Sequence, residues 1–454
     1  MDNATQLGEV KVSKLLLKFS IPAIVGMLVN SIYNIVDRIY IGNGVGSLGI
    51  GGITVGFPVM MINMAISMLI GFGANAVISI RLGQNRRDDA EEILGNAFIL
   101  FIISAFAVTT LGLIFLEPLL RIFGASDVLL PYAKDYMSII LMGNIFMTLS
   151  FGMNNFIRAE GNPKIAMKTM IIGAVTNIIL DPIFIFVLGW GMKGAAFATI
   201  LSQGVSMLWV LNYFFGGKSL LKIHTKNFRL RFETVRTIAA LGFAPFAMQL
   251  ANSVQNMIMN QSLMTYGGEI ALSAMGVTMS IMTLIFMPMI GINQGSQPII
   301  GYNYGAKKYD RVKETLKLAI IASVSIALFG WIITRLWPGQ LIAVFNRSDA
   351  ELLEIGKMQM RIGLSVFPLI GFQIVGANYF QAVGKPRHAS FLSLSRQFFF
   401  LIPLLLIMPR FFGLAGVYAA MPVSDILAVT VTGIFLYHEI RHLDDSHAST
   451  VAQR

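Results

Sequence analysis

The sequence predicts an all-α integral membrane protein of about twelve transmembrane helices, built as two six-helix halves related by a parallel internal repeat. Three observations carry that expectation. Of 454 residues, 55% are hydrophobic and 13% charged, against roughly 25% charged in a soluble domain. The apolar residues fall in runs of about 20 or more, the length that spans a bilayer. Sequence segments of the first half reappear in the second at an offset near 222.

Reading apolar runs bounded by charge places the first six helices near residues 15–41, 50–82, 94–116, 131–158, 165–188 and 193–216. The second six fall near 237–265, 271–302, 314–337, 354–381, 388–409 and 414–438. The domains expected are an N-lobe over 1–215, a basic linker over 216–236 and a C-lobe over 237–454.

Lysine and arginine alternate between the gaps. Lys11 and Lys14, Arg86 and Arg87, Arg158, Lys164 and Lys168, and Lys307, Lys308, Arg311 and Lys313 flank the even gaps, and the linker carries Lys218, Lys222, Lys226, Arg229, Arg231 and Arg236. Gly42–Gly49 and Tyr266–Ile270 carry none, and the other odd gaps hold only Arg121, Arg347 and Arg410. By the positive-inside rule the even gaps and both termini are cytoplasmic. The formal charge of +11 therefore belongs to membrane topology, and no nucleic-acid partner is expected. Without cysteine, disulfides, zinc thiolates and cysteine nucleophiles are excluded. Met1–Lys14 is polar and has no cleavable signal pattern, so insertion is expected to rely on the first span.

The repeat is explicit. Asn155-Phe-Ile-Arg-Ala-Glu-Gly161-Asn-Pro163 returns as Asn378-Tyr-Phe-Gln-Ala-Val-Gly384-Lys-Pro386, and Phe123-Gly-Ala-Ser-Asp127 as Phe345-Asn-Arg-Ser-Asp349. Pro22 matches Pro245, and the loop Arg81–Arg87 matches Asn303–Lys308. Six helices per copy, an even number, make both copies enter from the same side, the plan of alternating-access transporters.

Ionisable groups inside spans cost about 2.5 to 3.5 kcal/mol on insertion scales, so each implies a role. Asn30, Asn34 and Asp37 recur at steps of four and three on one face of helix one. Asn177 and Asp181 lie one turn apart on helix five, followed by Pro182; Ser150 with Asn154, and Thr199 with Gln203, add polar faces on helices four and six. Two carboxylates ringed by amide and hydroxyl oxygens can share a proton or coordinate sodium, with Asp37, Asn177 and Asp181 as ligands. The alternative, Asp37 pairing with Arg38, is weakened because neighbours at i and i+1 do not face each other. Asp425 stands where the first copy has Gln203. Arg361 and Arg396 are expected near helix ends, with their heads snorkelling to the interface. Pro22 removes a backbone hydrogen bond and is the expected hinge of helix one. The methionine-rich helices seven and eight contribute Met259 and Met282, which with Phe286, Gln255, Asn34 and Gln203 are expected to line a cavity for dissimilar apolar ligands.

These residues resemble the multidrug and toxic compound extrusion (MATE) family, and within it the MepA-type bacterial exporters. The resemblance covers nearly the whole chain. It rests on Pro22, Tyr33-Asn34-Ile-Val-Asp37, Arg158-Ala-Glu-Gly161-Asn-Pro163, Asn177-Ile-Ile-Leu-Asp181-Pro182 and Gln297-Pro298-Ile-Ile-Gly301-Tyr302-Asn303-Tyr304-Gly305. It implies two lobes forming a V and export of small amphipathic or cationic drugs by antiport against protons or sodium. It also implies a monomer in a bacterial inner membrane with no further cofactor. The family's ion site falls on Asp37, Asn154, Asn177, Asp181 and Thr199. A second cation site in the C-lobe is not expected, because Gln255, Asn256 and Asn260 stand where helix seven would supply an acid. The competing transporter reading is a lipid-linked oligosaccharide flippase, which would call for a basic midplane that this sequence lacks. An enzyme is not expected: no metal-ligand cluster is present, and His224, His388, His438, His442 and His447 fall in loops or at ends.

Overall fold

The computed structural model describes residues 5–343 and 350–452, and within them every regular element is helical. The second-copy segment Phe345–Asp349, with Arg347, lies outside the described residues. In lipid each backbone N–H and C=O must be paired within its own segment, so long apolar runs close into helices. Among the described residues, the spans of the first half are α1 (Val12–Gly44), α2 (Ser47–Gly83), α3 (Arg87–Ile114), α4 (Leu130–Met142 with Asn144–Ala159), α5 (Pro163–Val187) and α6 (Gly191–Phe215). Those of the second are α7 (Phe232–Gly268), α8 (Ile270–Gly305), α9 (Tyr309–Leu336), α10 (Ala350–Gly363 with Pro368–Ala382), α11 (386–412) and α12 (414–441). The stretch Pro386–Arg441 is 56 residues long, far more than one crossing needs, and the non-helical backbone of Gly413 divides it into two spans.

Two predicted helices are bent pairs. α4 turns by 55° at Gly143 and α10 by 53° between Gly363 and Pro368. At Gly143 a Cβ would land on the Ile200 side chain, so the glycine lets α6 approach where the helix breaks. Helix seven also begins earlier than predicted, at Phe232, inside the segment read as linker.

The repeat is written into the backbone as well as the sequence. Eight of the positive φ angles form matched pairs: Gly46 (93°) with Gly268 (67°), Asn85 (57°) with Lys307 (56°), Gly161 (91°) with Gly384 (77°), and Gly191 (53°) with Gly413 (55°). Left-handed backbone is uncommon for lysine, so its recurrence at Lys307 shows that the loop geometry was duplicated with the sequence. Pro163 and Pro386 open α5 and α11 at matched positions, where the missing N–H costs nothing.

The chain forms two compact units, and their boundaries fall inside helices. Unit 1 comprises 1–9 and 25–246; unit 2 comprises 10–24 and 247–454. The first part of α1 thus belongs with the second half, and the first part of α7 with the first half. Close backbone approach explains both. In unit 1, a Cβ on Gly73 would land on the Ile238 carbonyl, and one on Gly242 on the Leu69 carbonyl, so α2 and α7 touch backbone to backbone. In unit 2, Gly291 and Gly295 of α8 pack in the same way on Ile24 and Ser20 of α1. Pro22 lies two residues before the point where α1 passes between units, and the helix continues through it.

The linker is strapped onto unit 1 by buried acids. Glu160, fully buried at the end of α4, accepts hydrogen bonds from Ser219 Oγ (2.5 Å), Tyr213 OH (2.8 Å), Leu220 N (3.1 Å) and Leu221 N (3.2 Å). Glu91 accepts from Lys222 N at 3.1 Å and faces His224 Nε2 at 3.1 Å, while Asn96 Oδ1 accepts from Arg231 N at 2.9 Å.

Candidate functional site

The polar centre of unit 1 is assembled from α1 and α5. Asp37 and Asp181 are buried, at 8% and 0% exposure, and their carboxyl groups lie within hydrogen-bonding reach of each other. Asn177, one turn before Asp181 on α5, donates from Nδ2 to Asp181 Oδ1 at 3.2 Å. Three acceptors remain unmatched: Asp37 Oδ1, Asp181 Oδ2 and Asn177 Oδ1 are buried and have no hydrogen-bond partner among the described residues. Facing carboxyls with orphaned oxygens can be satisfied by a shared proton, by a small cation or by an ordered water. Arg38, the basic neighbour of Asp37, is exposed and makes no ion pair with it among the described residues.

Tyr33 and Tyr136 complete the surroundings. Tyr33 sits one turn before Asp37 and, like Tyr136 of α4, is close enough to feel the charge of both acids. Tyr136 also faces Thr199, whose own hydroxyl donates back to Ala195 O at 3.0 Å on α6. The structure therefore brings Asp37, Asn177 and Asp181 into contact and reaches Thr199 through Tyr136. Asn154 is buried on α4, its Oδ1 unpartnered, and no hydrogen bond joins it to either acid among the described residues. Directly after the acid, α5 loosens into a π-helix over Ile183–Val187, a distortion frequent at functional sites.

The residues predicted to line a cavity divide. Asn34 is exposed on unit 1 and its amide donates to Asn30 O at 2.7 Å; Gln203 is half-buried. Met259 and Met282 are core residues of unit 2, at 2% and 3% exposure, packed with Leu263, Leu401 and Tyr418 and with Met289, Met360 and Phe367 respectively. Their side chains fill space between helices and line no open face. Phe286 is partly buried with its ring edge-on to Phe367 at 5.5 Å. Gln255 is half-buried and its Oε1 has no partner.

Arg396 departs from the snorkelling expectation. It lies ten residues into α11, about 15 Å along the span at 1.5 Å per residue. Its Nε donates to Asp425 Oδ1 at 2.6 Å, forming an ion pair inside unit 2. Sequence reasoning also assigned nothing to Tyr136 or Glu160. The signal for Glu160 was that it is the one acid of its motif, replaced by Val383 in the second copy; Tyr136 offered none.

With this geometry in place, comparison with known proteins decides the family. The MatE family model matches residues 22–183 and 245–407, once per half. The chain belongs to the MatE family. It is 26% identical over 443 residues to the multidrug export protein MepA of Staphylococcus haemolyticus, covering 98% of this chain and 97% of that one. It is 27% identical over 428 residues to MepA of Staphylococcus aureus, with 94% of each chain covered. Among solved structures, the MATE multidrug transporter DinF-BH is 41% identical, with a TM-score of 0.88 over 94% of this chain and 95% of that one. The matched segments contain Asp37, Asn154, Asn177 and Asp181, and leave out Thr199 and the linker.

Proposed function

We propose that this MatE-family protein is a secondary active multidrug efflux antiporter, exporting lipophilic, often cationic drugs and dyes in exchange for protons or sodium. It would act as a monomer in the bacterial cell membrane, with both termini cytoplasmic. The observation that carries the reading is the facing pair Asp37 and Asp181, buried inside a span with one unpartnered oxygen on each. Such a pair exchanges a cation for an altered local charge, and loading it changes which packing of α1 against α5 is favoured. Direct carboxyl-to-carboxyl approach favours the proton as coupling ion. The orphaned Asn177 Oδ1 beside them supports the sodium reading, since sodium needs several oxygen ligands.

The energetics suffice. One inward proton supplies about 2.3 kcal/mol per 100 mV and about 1.4 kcal/mol per pH unit, enough to hold a drug gradient of two or more decades. The test is efflux of a fluorescent lipophilic cation from vesicles containing the purified protein, under a pH gradient and a sodium gradient imposed separately. Proton-driven export assigns the acids to proton coupling, and sodium-driven export makes them ligands. No movement under either gradient refutes the antiport.

A further inference from the structure

The second charged pair of the membrane interior, Arg396 with Asp425, has no counterpart in unit 1. Counting from the paired openings Pro163 and Pro386, Arg396 occupies the place of Gly173; counting from Gly191 and Gly413, Asp425 occupies that of Gln203. In unit 1 the glycine does a structural job without charge: a Cβ on Gly173 would land on Ser206 Oγ, so α5 and α6 pack closely there. An ion pair at the same crossing carries a desolvation cost, most of it for Asp425 at 3% exposure, before its attraction repays anything. Close packing was available without it. The pair is therefore retained for something other than holding α11 to α12.

Its open valences show what. A guanidinium carries five N–H donors, and among the described residues Arg396 uses Nε alone, on Asp425. The four N–H of its two Nη groups take no protein acceptor there, and the side chain keeps 22% of its surface open. α11 is loosened into a π-helix over Ser395–Leu401, which carries Arg396. The next residue, Gln397, is buried and donates to Asn252 Oδ1 of α7, leaving its own Oε1 unpartnered. Asn252 begins a stripe: Asn252, Asn256 and Asn260 follow at steps of four on one face of α7, and the last two are exposed. Exposed amides at that depth would be unsatisfied in lipid, so this face of unit 2 fronts water. The pair sits beside it.

We propose that Arg396 is a docking point for the carboxylate of zwitterionic amphiphiles. Its planar Nη pair matches a carboxylate in two parallel hydrogen bonds. Asp425 holds the guanidinium in place through Nε and keeps the empty site neutral, and the amides of the α7 stripe solvate the polar flank of the ligand. This rests on the export reading and narrows it: the substrates include molecules bearing a carboxylate beside a cationic, aromatic body.

The test uses full-length protein in lipid nanodiscs, titrated with a cationic rhodamine ethyl ester and with its hydrolysed free acid, which share one ring system. Arg396→Gln with Asp425→Asn keeps a hydrogen-bonded amide pair without the charges. It should weaken the acid at least about tenfold, the loss expected for a charge-assisted bond, and leave the ester within about twofold. Asp425→Asn alone leaves Arg396 uncompensated and should tighten the acid selectively. Acid and ester affinities that move together, or an unchanged acid affinity in the double variant, overturn the site while ester export by the wild type stands. Failure of the wild type to bind or export the ester overturns the export reading itself, and this site with it.

Discussion

Glu160 offers a prediction whose sign and size both follow from the strap it forms. Burial pushes its carboxyl from the ordinary 4.5 up to about 7, against the opposing effect of the four donors that reach it. The protonated form has a place to put its hydrogen. Ser219 Oγ can accept it on the Oε1 side while its own hydroxyl donates to Leu221 O at 2.6 Å, whereas both oxygens also meet backbone N–H groups that cannot accept. When the linker lifts away, Glu160 meets water and its carboxyl returns to the ordinary value. The strapped state therefore binds the proton more tightly than the open one. It is favoured at and below about pH 4.5 and loses that advantage as pH climbs to about 7, by about 3 kcal/mol or a factor of about 100 in the opening equilibrium. The assay is hydrogen exchange at the Leu220 and Leu221 amides, corrected for intrinsic rates, between pH 5 and 8. Wild-type protection should fall steeply over that range, whereas Glu160→Gln, neutral throughout, should start lower and stay flat. Equal slopes in the two proteins would falsify the assignment of this linkage to Glu160.

Asp37→Asn and Asp181→Asn should each insert and fold yet lose active export of a fluorescent cation from vesicles, since each removes one half of the facing pair; full export by both variants sinks the coupling model. Tyr136→Phe, which strips the hydroxyl beside Thr199 and the acids, should slow export about fivefold, the worth of roughly one hydrogen bond of about 1 kcal/mol; an unchanged rate removes Tyr136 from the site. Gly242→Val drives a side chain into the Leu69 carbonyl and should lower the melting temperature in detergent, at a cost of about 3 kcal/mol or more; Gly276→Ala, on an open face of α8, should be neutral, and equal melting of the two variants would refute the backbone contact.

Most of the fold was legible because lipid leaves a chain few choices. Runs of apolar residues bounded by charge must be helices, and the repeat told that both halves share one plan. The failures have a common physical origin in packing between helices. The bend at Gly143 was read through because the Gly143-Asn144 pair is a weak breaker between long apolar stretches, and the close approach of Ile200 of α6 there is not visible locally. The early start of α7 at Phe232 was hidden by the charge of Glu233 and Arg236, read as linker although the segment packs on α2 through Gly242 and Ile238. At the site, Asp37 and Asp181 were legible because charge inside a membrane is costly, and the four-residue spacing of Asn177 and Asp181 gave their hydrogen bond. Met259 and Met282 were misplaced because methionine packs as readily in a core as on a cavity wall, so residue type alone does not choose between the two.

The two halves then diverge at the same pair of helices. In unit 1 the α5–α6 crossing is closed by Gly173 against Ser206, and the charge sits two turns further along α5, at Asp181, facing Asp37. In unit 2 the crossing itself is charged, Arg396 meeting Asp425, while Leu404 and its neighbours leave the region matching Asp181 apolar. Duplication supplied two copies of one scaffold, each with a π-helix in the same span, at Ile183–Val187 in α5 and Ser395–Leu401 in α11. A π-turn widens the helix and frees side chains from the regular 3.6-residue register, so a polar group placed beside it gains room to face a new partner. Each half has used that room differently. One holds a like-charged pair with an unmatched oxygen on each carboxyl, and the other an opposite pair whose charges offset each other. The same backbone with exchanged side chains thus presents two facing acids in one half and an acid facing a guanidinium in the other.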